Sequence, residues 1–148
     1  MNFEEAVKNT EQISGYYCKG LKALGNNSAL ISVADTSIIE GSVDVDGATK
    51  KYYPTDSRWD YAIGYNGKAF FIEVHPASSS NVKEVKAKFE WLKNWLPGNA
   101  PELYKMTGGL NSRSCHWIAT KGISILKGSK QYHIAAQIGL LPKKKITL

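Results

Sequence analysis

The chain has 148 residues, 43% hydrophobic and 22% charged, and its 19 Lys and Arg against 13 Asp and Glu give a formal net charge of +6. That length fits one domain, residues 1–148, able to bury a core, and no apolar run approaches the roughly 18–20 residues that cross a bilayer. The N-terminal "MNFEEAVKNTEQ" is too polar and acidic for a secretory signal, so a cytoplasmic protein with two free cysteines, Cys18 and Cys115, is expected. The basic surplus favours a polyanionic partner: nucleic acid, nucleotide or acidic protein.

In chain order, residues 3–13 predict a helix with Phe3, Ala6, Val7 and Ile13 near one face, stopped at Gly15. Residues 16–24 predict a second short helix, ended by Gly25-Asn26-Asn27. The β-branched stretch 29–45 predicts one or two strands with a turn near Asp35. Asp44 or Asp46 is placed to cap a short helix through Ala48–Tyr52.

Residues 57–76, "SRWDYAIGYNGKAFFIEVHP", read as a hairpin. Asn66-Gly67 between alternating arms favours a two-residue type I′ turn. In that register Ile63 faces Phe70, Tyr61 faces Ile72 and Trp59 faces Val74, making one apolar face for a following helix to cover. The other face puts Ala62 opposite Phe71, Asp60 opposite Glu73 and Arg58 opposite His75. Facing Cβ atoms lie about 5 Å apart, so two carboxylates there repel each other. A retained proton, the Arg58 guanidinium or a divalent metal would each relieve the repulsion. The plainer reading is an exposed acid pair with Arg58 as counter-ion, and Ala62 and Phe71 on the same face argue against simple exposure.

The best helix begins after Asn81, with Asn81 and Glu84 as a capping-box-like start. Val82, Val85, Phe89, Leu92 and Leu96 form its stripe, Glu84 and Lys88 a favourable i,i+4 pair, and Pro97-Gly98 its end. Trp91 lies away from that stripe, and packing is favoured over an exposed stacking role. A helical turn at Pro101–Met106, a strand at 115–120, an extended "ISIL" and a helix at Lys130–Ile138 capped by Ser129 and ended by Gly139 complete the chain. The order α–β–β–β–α–β–α puts the chain in the α/β class, with α+β the alternative: one sheet with helices packed on it. The run Lys143, Lys144 and Lys145 reads as a solvated tail or a phosphate contact.

Other constellations are weaker. Cys18, His75, Cys115, His116 and His133 lack paired zinc-ligand spacing, and there is no G-x-x-x-x-G-K-[ST] phosphate loop.

An Asp on one strand, Glu-x-Lys on the next and a helix after them form the core motif of the PD-(D/E)XK nuclease superfamily. The chain resembles that pattern in Asp60, Glu73-Val74-His75 and the helix after Asn81, with His75 at the lysine position. Its strings are also similar to those of small bacterial proteins. The resemblance implies a restriction-endonuclease-like αβββαβ core with a central mixed sheet, and a phosphodiesterase or nuclease that cuts nucleic acid with Mg²⁺ or Mn²⁺. Asp60 and Glu73 would hold the metal, with the Val74 carbonyl as a further ligand. His75 would orient or deprotonate a water, Arg58 would stabilise developing charge, and Glu40, Glu11 or Glu5 would be the upstream acid. Histidine in place of lysine also leaves room for a non-catalytic module of the same fold that binds nucleic acid or protein, for instance in a bacterial defence or toxin system.

Overall fold

The computed structural model describes all of residues 1–148. Helix α1 (Phe3–Lys8) is held at its start by a reciprocal pair: Asn2 accepts from the Glu5 N–H, and Glu5 accepts from the Asn2 N–H. The expected longer helix breaks after Asn9 and resumes as a 3₁₀ segment, Glu11–Tyr16. Where a second short helix was expected, the chain first lays down a two-residue edge strand, β1 (Tyr17–Cys18), and then a kinked 3₁₀ stretch, Lys22–Leu30. Strands β2 (Ile31–Ser32) and β3 (Ile39–Asp44) flank a turn that Asp35 caps by accepting from the Ser37 N–H. Asp44 caps α2 (Val45–Thr49) through the Gly47 N–H, 2.9 Å away.

Strands β4 (Tyr61–Tyr65) and β5 (Lys68–Ser78) form the hairpin. Asn66 and Gly67 both have positive φ, 50° and 78°, as a type I′ turn requires. The register follows from that turn, with Tyr61 opposite Ile72, Ala62 opposite Phe71 and Ile63 opposite Phe70. Pro76 falls where the β5 register shifts, the place in a strand where a residue lacking an N–H is tolerated.

Helix α3 (Val82–Asn99) follows a 3₁₀ turn and runs one turn past the expected stop, with Pro97 inside its last turn. Helix α4 (Pro101–Lys105), strand β6 (Cys115–Ser124), helix α5 (Lys130–Gln137) and the short β7 (Ile146–Thr147) complete the chain. Residues 115–120 and "ISIL" thus belong largely to one strand. The main sheet has the order β1-β3-β4-β5-β6. Its first four strands are antiparallel neighbours, and β6 lies parallel to β5, as the α3–α4 crossover allows. The protein is therefore a mixed α/β fold with helices on a five-strand mixed sheet. No helix is long and apolar enough to cross a membrane.

The sheet is buried on both faces, and here one expectation is reversed. Ile63, Ile72, Phe70 and Tyr61 do form an apolar face, but the 3₁₀ stretch 22–30 and the β2–β7 pair cover it through Leu24, Ile31 and Ile146. Helix α3 lies on the opposite face, where Phe89, Leu92 and Leu96 pack with Ala62, Phe71 and Trp59. Both faces carry large apolar side chains, so alternation alone does not say which one receives the helix. The consequence for function is that the acid-bearing face lies under α3. Trp91 stacks on Trp95 at 5.3 Å and meets the Tyr53 ring edge-on, so it packs.

Helix α1 sits on β4 at Gly64. A Cβ placed there would overlap the Phe3 ring, which is fully buried. Gly64→Val is expected to cost about 1–3 kcal/mol by overpacking, read as a lower urea midpoint; an unchanged midpoint would mean that Phe3 moves aside freely.

Candidate active site

The ladder between β4 and β5 ends at Tyr61–Ile72, one pair short of the acids. Beyond it side chains take over from backbone pairing. The Val74 N–H donates to Asp60 Oδ2 at 2.9 Å, and the Asp60 N–H donates to Glu73 Oε1 at 3.2 Å. The two acids therefore meet, each clamped by the other's strand. The Asp60 carbonyl accepts from Val45 and Asp46 N–H groups, fixing the end of β4 against the start of α2.

The cation between the acids is Lys88 of α3. Its Nζ donates to Glu73 Oε2 at 2.6 Å and to Asp60 Oδ1 at 3.4 Å. The expected Glu84–Lys88 pair does not form, because Glu84 turns to His75, with its Oε2 2.7 Å from Nε2. The other ring nitrogen, His75 Nδ1, lies 3.5 Å from Glu73 Oε2. A line of polar groups thus runs from Glu84 through His75, Glu73 and Lys88 to Asp60. The Glu73 side chain is 0% exposed, Asp60 and Lys88 are each 19% exposed and Glu84 is 60% exposed, so the cluster reaches solvent at both ends with Glu73 buried between them.

Arg58 is not part of this cluster. With the ladder ended at Tyr61, nothing holds residue 58 opposite His75. Its guanidinium instead donates to Asp46 Oδ1 at 2.8 Å and to the Tyr53 carbonyl at 2.6 Å, tying down the 50–60 loop. The three upstream acids are also elsewhere. Glu40 accepts from the Phe3 and Gly67 N–H groups at the turn end of the hairpin, Glu5 serves the α1 cap, and Glu11 opens a 3₁₀ segment. The upstream acid that feels Asp60 is Asp44, whose carboxyl burial and the nearby charges of Asp46 and Asp60 push up, against the pull of the Gly47 N–H.

Burial, and then the Glu73 charge, push the Asp60 carboxyl up to about 7. One ammonium balances one carboxylate, and the second keeps its proton into the neutral range. Burial works to lower Lys88, but the two carboxylates outweigh it and hold the ammonium above its ordinary value. The hydrogen bond to Glu73, aided by Glu84, raises His75 against the opposing effect of burial. A ring whose two nitrogens both face carboxylates is satisfied as an imidazolium.

Lys88 is the site residue that sequence reasoning missed. Its pairing with Glu84 suggested an exposed helix face. The available signal was the 4-3-4 spacing of Glu84, Lys88, Trp91 and Trp95, a second stripe whose two tryptophans mark it as inward-facing.

Asp60 and Glu73 are the two residues that could hold a metal. Asp60 Oδ1 and Glu73 Oε2 are hard oxygens that one ammonium already bridges. The chain holds no group of three or more His, Cys, Asp or Glu side chains arranged for an ion. Two carboxylates with water or phosphate completing the shell are a usual Mg²⁺ arrangement. Buried Cys115, its thiol pushed up to about 12 by burial, is no nucleophile. Comparison with known proteins finds no matching family model, no matching curated protein and no matching solved structure.

Proposed function

We propose that the chain is a metal-dependent phosphodiester hydrolase of the PD-(D/E)XK type that acts on nucleic acid. The observation that carries this reading is the convergence of Asp60, Glu73 and Lys88 on one point. An acid, a second acid and a lysine are the three groups the motif requires, and the lysine missing at position 75 is supplied by α3. The restriction-endonuclease-like core belongs to the same proposal. Its support is the antiparallel run β3, β4 and β5, with α2 between its first two strands, followed by α3 and the parallel strand β6.

Mg²⁺ held by Asp60 and Glu73 would act as a Lewis acid on the phosphate and lower the pKa of a bound water. The residues of the chain contribute the rest. Lys88 offers donors to phosphoryl oxygens or to the attacking water, and its charge opposes the negative charge that develops as the P–O bond to the leaving oxygen breaks. His75, engaged at both nitrogens, orients Glu73 and is not a free base. Arg58 takes no part, because it is spent on Asp46.

The test is incubation with single- and double-stranded DNA and RNA, with Mg²⁺ or Mn²⁺, alongside Glu73→Gln. Metal-dependent product formed by the wild type and lost in the variant supports the hydrolase. No product from any substrate, with no rise in melting temperature on adding metal, rejects it.

One observation favours a second reading. Glu73 is fully buried, and the donors around it are all supplied by the chain. Such a network can stabilise a non-catalytic module that binds nucleic acid or protein, and the same assay then finds binding without cleavage.

A further inference from the structure

We infer that a cationic pocket at the β4–β5 turn is a binding site for phosphate groups. The pocket has a volume of about 440 Å³, within the range of roughly 300–1,000 Å³ usual for ligand sites. Its lining is unlike an apolar ligand pocket, because only Ala69, Phe70 and Met106 are hydrophobic. Three cations line it from three separate segments: Lys68 at the start of β5, Lys105 at the end of α4 and Arg113 in the loop before β6. No carboxylate lines it. Two acids contact its lining residues and are engaged there, Glu102 with Lys105 at 3.2 Å and Glu40 with the Gly67 N–H. Neither Lys68 nor Arg113 has an ion-pair partner.

The walls are held in place. The Ala69 N–H donates to the Met106 carbonyl at 3.1 Å, and the Phe71 N–H to the Ser114 carbonyl at 2.7 Å, so the 106–114 loop extends the β5 edge before β6 begins. Within the loop Ser114 Oγ donates to the Gly109 carbonyl at 2.6 Å, and Asn111 Oδ1 accepts from the Arg113 N–H at 2.8 Å. Gly67 and Gly108, both at positive φ, have open space where a Cβ would stand, so no side chain fills the pocket there, although the Gly67 N–H itself is taken by Glu40. A fixed concave wall with two unpaired cations, Lys68 and Arg113, and a third, Lys105, shared with Glu102 is complementary to an anion, and a guanidinium fork beside ammonium groups matches phosphate oxygens best.

The pocket does not depend on the hydrolase reading. It lies at the start of β5, while Glu73 is at the middle of that strand, roughly 17 Å away at a rise of about 3.3–3.4 Å per residue. Phosphates of a free nucleotide and of a polynucleotide share the chemistry, and the experiment separates them. Binding of a fluorescent single-stranded decanucleotide to the full chain is followed by anisotropy in EDTA, where no metal-dependent cleavage interferes, with ATP and pyrophosphate titrated in parallel. Lys68→Ala/Arg113→Ala is compared with a charge-matched pair in the basic tail, Lys144→Ala/Lys145→Ala. All four positions are exposed, so each variant is expected to fold, as circular dichroism would check. For a polynucleotide site the pocket pair weakens binding at least tenfold and lowers the salt slope by about 1.4, two contacts at about 0.7 each on a single strand, and the tail pair does neither. For a nucleotide site ATP and pyrophosphate bind, and lose at least tenfold in the pocket pair. Equal weakening by both pairs, or no binding of any of the three probes, overturns the inference.

Discussion

Lys88→Met is expected to destabilise the protein by about 3 kcal/mol. The methionine keeps the aliphatic stem and removes the ammonium, leaving Glu73 buried beside Asp60 with only the His75 ring, 3.5 Å away, to offset its charge. Removing one partner of a buried pair costs about 3–5 kcal/mol. The lower end applies here because His75 stays beside Glu73 and Asp60 keeps its proton into the neutral range. For a domain of this size, melting falls by about 2–4 °C per kcal/mol, so a loss of roughly 6–12 °C is expected by calorimetry. The same variant is expected to abolish any metal-dependent cleavage. The pairing is tested by adding Glu73→Gln, which is neutral and retains an oxygen for the Asp60 N–H. If Lys88 serves mainly to balance Glu73, the double variant recovers most of the lost stability. Additive losses would show that the Lys88 stem or α3 packing, and not the charge pair, is what the mutation disturbs.

The second large effect is in the pH dependence of stability. Asp60 has its folded pKa raised to about 7 from the ordinary 3.8, by burial and then by Glu73. Between those values the folded state binds more protons than the unfolded chain, so stability falls as pH rises through this window and levels off above it. At about 1.4 kcal/mol per pKa unit the ceiling for this one group is about 4 kcal/mol. His75 acts in the same direction: its raised pKa gives stability that is complete below 6.5 and lost as pH rises through the folded value. The metal-free melting temperature is therefore expected to decline from pH 4.5 to 8, and Asp60→Asn is expected to remove most of that slope. Parallel profiles for the wild type and the variant would refute the assignment to Asp60.

Much of the fold was legible in short stretches because local chemistry fixes them. Asn66-Gly67 dictates a turn that few other residue pairs accept, and the turn sets the register of the whole hairpin. Asp35, Asp44 and Ser129 each cap a helical segment through a single side-chain acceptor. The candidate site was legible only as far as the hairpin reaches. Asp60 and Glu73 meet because the turn sends them toward one another. Lys88 joins them only because α3 packs on that face and not the other, a choice settled by the long-range covering of Ile63 and Ile72 by residues 22–31 and 146. Arg58 was misplaced because alternation was extended three residues beyond the last paired rung. Where backbone pairing stops, the facing rule stops with it.

The bond from the Val74 amide to Asp60 bears on how the sheet breathes. At the open end of most hairpins the last rung frays independently, since only a backbone bond is lost. Here the rung is completed by a carboxylate that also faces Lys88, so separating these strands means pulling α3's charge contact apart in the same step. The open end of β4–β5 and the middle of α3 then form one cooperative opening unit. Slow exchange of the Val74 amide would be a property of that unit, not of its strand alone.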